Sequence, residues 1–156
     1  MDKSGGLCCH FGDLKKDMFL GEYTHSLDAK NRIILPSRLR DELGSKVVLT
    51  KSVDRCVTLY TEEKWAEFCA RLDKLPDIET RRVKRFLFSA AFETEIDSQG
   101  RILIAPKLCE YAGLEKNVTV IGVGDHIEIW GCDAWAGESR GEKADDIADI
   151  LIGLGF

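Results

Sequence analysis

The sequence lacks the features of a membrane protein or a secreted one. No apolar run approaches the roughly 18 residues that a membrane-spanning helix needs. The first 17 residues, MDKSGGLCCHFGDLKKD, hold no apolar core of a signal peptide. The chain of 156 residues, 44% hydrophobic and 31% charged, is therefore expected to fold in the cytoplasm around a core of its own.

The cysteines lack any pattern of a disulfide framework or a metal site. None of the six forms a Cys-x-x-Cys pair. Cys56 and Cys69 stand among apolar residues and are expected to be small buried side chains. Cys8, Cys9 and His10 are consecutive, but adjacent cysteines are poorly placed to form a tetrahedral site without a second pair of ligands. We therefore expect no metal and no cofactor.

The motifs of the common enzyme classes are also missing. The sequence contains no G-x-S-x-G, no P-loop and no H-E-x-x-H. Its three histidines lie far apart in different contexts. Since no activated nucleophile or acid–base pair is indicated, we predict that the protein is not an enzyme and has no small-molecule substrate.

Positive charge is in deficit overall, but the deficit is confined to one half. The formal net charge is −5. Residues 18–91 carry 14 basic residues against 11 acidic ones, whereas residues 92–156 carry 5 against 13. An acidic total argues mildly against a nucleic-acid binder. The first half nevertheless retains a basic excess, and binding depends on the local surface rather than on the total.

What the sequence does have is a repeated segment. LDAKNRIILP, residues 27–36, is echoed by IDSQGRILIAP, residues 96–106, and both contain Asp-x-x-x-Arg-Ile. An offset of about 70 residues relates the segments and persists through the strands and helix that follow each. Two copies are too few for a solenoid and predict a pseudo-symmetric pair. The matched acidic and basic residues are Asp28 with Asp97 and Arg32 with Arg101.

Each copy predicts the same order of elements. Two β segments flank a tight turn, in which Asn31 and Gly100 are the residues that accept a positive φ. We interpret each turn with its flanking strands as a short β-hairpin. A short helix follows, opened by proline and closed by glycine. Two further β runs come next, separated by a turn that contains an aspartate.

Longer helices are predicted between the copies and at the C-terminus. Thr61 is a plausible N-cap for a helix whose apolar stripe is Trp65, Phe68, Cys69 and Leu72. A second helix is predicted over residues 78–91, and a C-terminal one carries Ile147, Ile150, Leu151 and Leu154 on one stripe. We expect the natural start at Met18 and treat residues 1–17 as an extension, which is expected to be disordered. The remaining chain divides into a first repeat with its helix at 18–75, a connecting helix at 76–91, and a second repeat with the C-terminal helix at 92–156.

Basic residues gather around the repeated turns and predict a surface that contacts DNA. Arginine presents a planar fork that suits phosphates and guanine edges, and a β ribbon fits the major groove. Alternatively, each Asp–Arg pair is only an ion pair that stabilises its turn, because surface pairs of this kind are common. The predicted DNA-contacting residues are Lys30, Arg32, Arg38, Arg40, Arg101 and Lys107, and the predicted turn-supporting residues are Asp28, Asn31, Asp97 and Gly100.

The densest positive run is RRVKR, residues 81–85. On a helix Arg81 and Arg85 share a face, and Asp77 and Glu79 precede them as possible partners. The run is compatible with a solvated helix face, with a contact between copies of the chain, or with a phosphate contact.

Three stretches together resemble the MraZ family of bacterial transcriptional regulators: MFLGEYTHSLDAKNR, DSQGRILIAP and YAGLEKNVTVIGVGDHIEIW, from about Met18 to Trp135. The resemblance implies an α+β fold of two tandem AbrB-like swapped-hairpin β units in a pseudo-two-fold arrangement, with helices after each. It implies a homo-oligomeric ring, associated with the nucleoid, that binds direct repeats in double-stranded DNA upstream of the division and cell-wall gene cluster. The contacts would centre on the Asp-x-x-x-Arg motif.

The chain departs from the family pattern at three positions. Asn31 stands where glycine is usual, Ala105 where proline is usual, and Cys109 where arginine is usual. Because Cys109 removes a positive charge from the second copy, we expect the first copy to be the stronger DNA-contacting one. The acidic second half leaves open an alternative function as an oligomeric scaffold that does not bind DNA.

Overall fold

Six of the eight described strands, three from each copy, combine in one antiparallel sheet instead of forming a separate sheet for each copy. The structure is a computed structural model that describes residues 18–141 and 143–156, so Cys8, Cys9 and His10 lie outside the described residues. The strands are β1 Glu22–Ser26, β2 Arg32–Ile34, β3 Lys46–Lys51, β4 Val57–Thr61, β5 Phe92–Glu95, β6 Arg101–Leu103, β7 Asn117–Gly122 and β8 Ile127–Gly131. The helices are α1 Ser37–Arg40, α2 Glu62–Asp73, α3 Asp77–Phe88, α4 Pro106–Ala112, α5 Cys132–Gly141 and α6 Ala144–Gly153.

The strand order shows the pseudo-two-fold relation directly. The large sheet runs β1-β7-β8-β4-β3-β5, and a separate two-stranded ribbon pairs β2 with β6. From one edge the order is β1, β7, β8, and from the other edge it is β5, β3, β4. Both series run from the first strand of one copy to the third and fourth strands of the other copy. Each copy thus places its first strand beside the third strand of the other copy. This confirms the α+β fold with a swapped arrangement of two tandem units.

The interpretation of each turn with its flanking strands as a self-contained hairpin is wrong. β1 is registered along β7, with Glu22 opposite Ile121, and is not paired with β2. β2 is registered along β6, with Ile33 opposite Ile102. Both isoleucines are 1% exposed, so pairing the equivalent strands of the two copies buries an apolar residue from each. Local alternation could not reveal this partner, which lies about 70 residues away.

The core lies under the ribbon and on the inner face of the sheet. β3 has a run of four buried residues at Val47, Val48, Leu49 and Thr50, and β7 repeats this pattern. Such continuous burial is typical of strands covered on both faces. The same core cluster takes in the ribbon and helices α1 and α4, through Leu35, Leu39, Ile104 and Leu108.

The helices follow the predicted signals, with three differences. Thr61 caps α2, since its Oγ1 accepts the backbone N–H of Lys64 at 3.0 Å. The connecting helix ends at Phe88, earlier than predicted, and the single turn α1 ends at Arg40, before the predicted closing glycine at Gly44. Helix α5 was not predicted, because its sequence CDAWAGESRG contains two internal or terminal glycines and only a weak apolar stripe.

The C-terminal helix α6 has the predicted apolar stripe, but that stripe is exposed. Ile150 is 57% exposed and Leu154 is 69% exposed. None of the residues of α6 is buried. Among the described helices, none is both long enough and apolar enough to span a membrane.

Candidate nucleic-acid interface

The two Asp-x-x-x-Arg motifs form two nearly identical turns, here called the first turn, residues 28–32, and the second turn, residues 97–101. Asn31 has φ 60° and Gly100 has φ 78°, as the sequence predicts for these positions. Each turn is closed by the backbone N–H of its aspartate, which donates to the arginine carbonyl at 2.9 Å in the first turn and 3.0 Å in the second. The backbone therefore has the same shape in both copies.

In the first turn, the carboxylate of Asp28 organises both the backbone and the arginine. Its Oδ1 accepts the backbone N–H groups of Lys30 and Arg32, each at 2.8 Å. Its Oδ2 accepts the Nε–H of Arg32 at 2.9 Å. Because the carboxylate holds Arg32 through Nε, it leaves the two terminal amino groups of the guanidinium free to contact another molecule.

The second turn repeats this network. Asp97 Oδ1 accepts the backbone N–H groups of Gln99 and Arg101 at 2.9 Å and 2.8 Å, and its Oδ2 accepts Arg101 Nε–H at 2.7 Å. In each turn the backbone N–H of the arginine is the largest influence that holds the aspartate pKa below its ordinary value of 3.8. The ion pair that the sequence left as an alternative is therefore present in both copies, and its geometry also fixes the direction of each arginine.

The pairing of β2 with β6 places both arginines on one face of the ribbon. Arg32 lies opposite Leu103, and Ile34 lies opposite Arg101. Cross-strand partners share a face, and residues two apart on a strand share it too. The outer face of the ribbon thus carries two arginines on one diagonal, about 7–8 Å apart by the usual strand spacing. The inner face carries the buried Ile33 and Ile102.

Two apolar side chains complete this outer face. Ile34 is 48% exposed and Leu103 is 44% exposed, each beside one of the arginines. The sequence reasoning did not single them out. The alternation of strand residues in RII and RIL could have indicated them. If the middle isoleucine of each strand points into the core, the third residue must point outward. Exposed apolar groups on such a ribbon can contact thymine methyl groups.

Arg40 lies at the second turn, although it belongs to the first copy. A Cβ placed on Gly100 would lie 2.6 Å from Arg40 Cζ and 2.8 Å from its Cδ. The backbone explains this approach, since Leu35 N–H donates to Gly100 carbonyl oxygen at 2.9 Å. Helix α1, which starts two residues later at Ser37, is therefore brought against the turn of the other copy.

The equivalent contact exists on the other side of the pseudo-two-fold axis. Ile104 N–H donates to the carbonyl oxygen of Asn31 at 2.8 Å, which brings helix α4 to the first turn. Cys109, the counterpart of Arg40, is on that helix and is buried. The charge that Cys109 removes is therefore missing beside the first turn. Because the helices are exchanged, this change does not lie at the second turn, and the expectation that the first copy is the stronger DNA-contacting one stays a prediction.

The remaining predicted basic residues are accessible. Lys30 lies within the first turn, and Arg38 and Lys107 lie at matched positions on α1 and α4. All three are exposed. The structure thus brings the predicted set together around one ribbon. Because the helices are exchanged, Lys30, Arg32 and Lys107 belong to the surroundings of the first turn, and Arg38, Arg40 and Arg101 belong to those of the second.

The RRVKR run lies apart, on α3. Arg81, Arg82 and Arg85 are exposed. Lys84 forms an ion pair with Asp73 of α2 at 3.1 Å, so the recorded partner of the run comes from the neighbouring helix and not from Asp77 or Glu79.

The described cysteines are free thiols, and two of them, Cys56 and Cys109, are buried. Burial raises the pKa of the Cys56 thiol to about 12, and that side chain is fully buried. Cys69 is half-buried, less than its sequence context suggested. Within residues 18–141 and 143–156, no group of three or more histidine, cysteine or acidic side chains is arranged to hold a metal ion.

The fold and the site define a class: a duplicated β protein whose swapped units present two arginine-bearing turns on one ribbon. The chain belongs to the MraZ family, whose model, described as "MraZ protein, putative antitoxin-like", matches residues 18–86 and 87–145. Relatives named as the transcriptional regulator MraZ confirm the prediction that the chain is not an enzyme. The chain is 47% identical over 143 residues to the one from Acetivibrio thermocellus, 42% over 143 residues to the one from Syntrophomonas wolfei, and 43% over 142 residues to the one from Lachnoclostridium phytofermentans.

These alignments cover 89% of this chain and 100% of each of the three relatives. Among solved structures, a solution structure of a protein from Pyrococcus horikoshii matches with a TM-score of 0.33 and 15% identity, over 69% of this chain and 92% of that one.

Proposed function

We propose that this protein is a sequence-specific, double-stranded-DNA-binding transcriptional regulator that acts as a homo-oligomeric ring on direct repeats. The proposed target is the promoter region upstream of the division and cell-wall gene cluster, and the proposed location is the nucleoid in the cytoplasm. The names of its relatives support a role in transcription. The DNA contact is proposed from the geometry of the ribbon.

One observation carries the proposal: both arginines of the duplicated motif lie on one exposed face, each held by its own aspartate through Nε. A β ribbon can enter the major groove, and an arginine with free terminal amino groups can form a pair of hydrogen bonds with guanine. The aspartate contributes by fixing the guanidinium direction before DNA arrives, which reduces the entropy lost on binding.

The flanking basic residues would supply the part of the affinity that does not depend on sequence. Lys30, Arg38 and Lys107 are exposed around the ribbon, and in this proposal they would contact phosphates. A single acidic chain with this small basic surface would bind weakly. A ring that presents several ribbons to tandem repeats raises the effective concentration for each further contact, so that the whole assembly binds far more tightly than one chain.

The test is a salt titration of binding to duplexes that carry tandem repeats from the proposed promoter region, with a scrambled duplex as reference. We expect wild-type protein to prefer the repeats and to lose affinity steeply as salt rises. Arg32→Ala should lose most of the preference for the repeats while sedimentation shows the same oligomer as wild type.

Arg140→Ala is the matched control, since it removes one exposed arginine from α5, outside the ribbon. It should retain the preference for the repeats. If Arg32→Ala loses its oligomer or its fold, then the Asp28–Arg32 pair serves the turn alone and the proposed DNA contact fails at this residue.

A second function, an oligomeric scaffold that does not bind DNA, has one observation in its favour. Helix α6 exposes an apolar stripe that includes Ile150 and Leu154, and it carries three aspartates. An exposed apolar surface of this kind is typical of a protein contact. Failure of the wild-type protein to bind any duplex at low salt would favour the scaffold.

A further inference from the structure

One position within the turns and one on the helices beside them differ between the two copies, and these two differences are complementary in size. The second turn has Gly100, the smallest residue, where the first turn has Asn31. Helix α1 has Arg40, a long side chain, where helix α4 has Cys109. Each helix lies against the turn of the other copy. Arg40 contacts Gly100, and Cys109 belongs to the helix that the bond from Ile104 N–H to the Asn31 carbonyl oxygen brings to the first turn.

A larger residue at the second turn would force the outer part of the Arg40 side chain to shift. A Cβ on Gly100 would lie under 3.0 Å from three atoms of Arg40, closer than real Cβ atoms approach other groups. Gly100 itself is buried beneath the side chain. The Nε of Arg40 is also buried, and within the described residues it has no hydrogen-bond partner. Arg40 is therefore held here by packing against the turn rather than by an ion pair.

The contact reaches the residue that the proposed function depends on. Gly100 directly precedes Arg101, and its N–H donates to the Asp97 carbonyl oxygen at 2.9 Å to close the second turn. A side chain that packs on Gly100 thus restricts the turn that aims Arg101. In the first turn the corresponding position is Asn31, whose side chain is larger than that of glycine.

We propose that Arg40 is a positioning residue of the second turn, acting from the opposite copy, and that positions 40 and 100 form a matched pair, as do positions 109 and 31. Arg40 then does not contact DNA itself, although the sequence predicted that it would. The packing of Arg40 on Gly100 does not depend on the proposed function. The consequence for DNA contact by Arg101 rests on the proposed function.

The first experiment is a thermal-unfolding cycle on the whole chain with Arg40→Cys, Gly100→Asn and the double variant, which copies the pair found at the first turn. Asparagine already adopts a positive φ at position 31, so at position 100 it adds less backbone strain than other side chains would, and the recovery by Arg40→Cys isolates the packing contribution. We expect Gly100→Asn alone to lower the unfolding midpoint by roughly 3 to 9 °C, as overpacking does. Adding Arg40→Cys should restore most of that loss.

Arg38→Cys combined with Gly100→Asn is the matched control, because Arg38 is an exposed arginine on the same helix. This combination should restore nothing. If Arg40→Cys and Gly100→Asn instead lower the midpoint additively, the two positions are independent and the matched pair does not exist.

The mirror experiment builds the second turn's pair into the first turn. Cys109→Arg alone should lower the midpoint, because the arginine meets Asn31, and Asn31→Gly with Cys109→Arg should recover it. Equal destabilisation of the single and double variants would overturn the pairing on this side.

DNA binding by the Arg40→Cys, Gly100→Asn double variant separates positioning from contact. If Arg40 only positions the turn, the double variant binds the repeats with the salt dependence of wild type. If the slope of log affinity against log salt falls by about one, Arg40 contacts a phosphate and the positioning role is overturned. If wild-type protein binds no DNA, the proposed function fails, while the thermal cycles still decide whether the pairs exist.

Discussion

The first and second turns of this chain share the hydrogen-bond network of the aspartate and the arginine, and they differ in the residues between these two. Both have an aspartate that binds two backbone N–H groups and an arginine Nε, at distances of 2.7 to 2.9 Å. They differ in all three residues between the aspartate and the arginine: Ala29 or Ser98, Lys30 or Gln99, and Asn31 or Gly100. The shared part is what a turn that presents an arginine requires, and the rest can vary.

The difference also shows where each turn obtains its additional positive charge. The first turn carries Lys30 within its own sequence. The second turn has the neutral Gln99 instead, but Arg40 reaches it from the other copy. The swapped fold therefore makes the two surroundings more alike in charge than the two sequences are. A comparison of the aligned copies alone would rank the second turn as the weaker one.

The largest expected effect comes from removing the second arginine and comparing it with the first. Arg101→Ala should weaken binding to the repeats by about 10- to 100-fold, as the loss of one base-contacting arginine does, and to a similar extent as Arg32→Ala. The double variant should bind repeat and scrambled duplexes equally. Fluorescence anisotropy with both duplexes measures this. A wild-type affinity for Arg101→Ala would show that only the first turn contacts DNA.

The aspartates give the next effect. Asp28→Asn and Asp97→Asn keep an oxygen for the backbone N–H groups but lose the charge that holds the arginine, so each should weaken repeat binding by up to about tenfold. Because the folded pKa of each aspartate is lowered, the stabilisation that it gives is present above pH 3.8 and is lost as the pH falls below that value. Binding titrations of the two variants at neutral pH provide the measurement, and unequal losses would mean that the two networks are not equivalent in solution.

The local features of both turns could be predicted from the sequence, whereas their partners could not. The positive φ at Asn31 and Gly100, the Thr61 cap and the aspartate–arginine spacing all depend on residues within a few positions of one another. The pairing of β2 with β6 and the placement of Arg40 on Gly100 are contacts between residues 60 or more positions apart. Periodicity indicates which face of a strand is buried, but it does not indicate which strand covers it.

The same limit explains why the exposed apolar pair was missed. Ile34 and Leu103 look like ordinary strand residues, and their position beside the arginines follows only from the register of the ribbon. Their truncation to alanine should lower the preference for the repeats without changing the salt dependence, because they make no phosphate contact.

An exchange of one differing residue in each turn would sharpen the comparison further. Lys30→Gln gives the first turn the residue of the second, and Gln99→Lys does the reverse. If Lys30 contacts a phosphate, Lys30→Gln should reduce the salt slope by about one per bound turn, and Gln99→Lys should increase it by as much. Sequence preference should be unaffected in both. A change in preference without a change in slope would mean that these positions contact bases instead.

The smallest effect extends the comparison to the turn between the last two strands of each copy, which has Asp54 and Arg55 in the first copy and Asp125 and His126 in the second. The ring nitrogens of His126 lie 2.7 Å from Asp125 and 3.1 Å from Glu128. Burial disfavours its charged form, but these two carboxylates outweigh burial and raise the His126 pKa above 6.5.

A raised folded pKa means that the stabilisation is fully present below pH 6.5 and is lost as the pH rises through the folded value. His126→Gln should therefore lower the free energy of unfolding in mildly acidic solution, by at most about 1 kcal/mol, and by less in alkaline solution. Arg55→Gln, at the matched turn, should show no such trend between about pH 5 and 8, because arginine stays charged throughout. Denaturant unfolding at several pH values measures both variants, and a His126→Gln effect that grew with pH would contradict the ion-pair arrangement around His126.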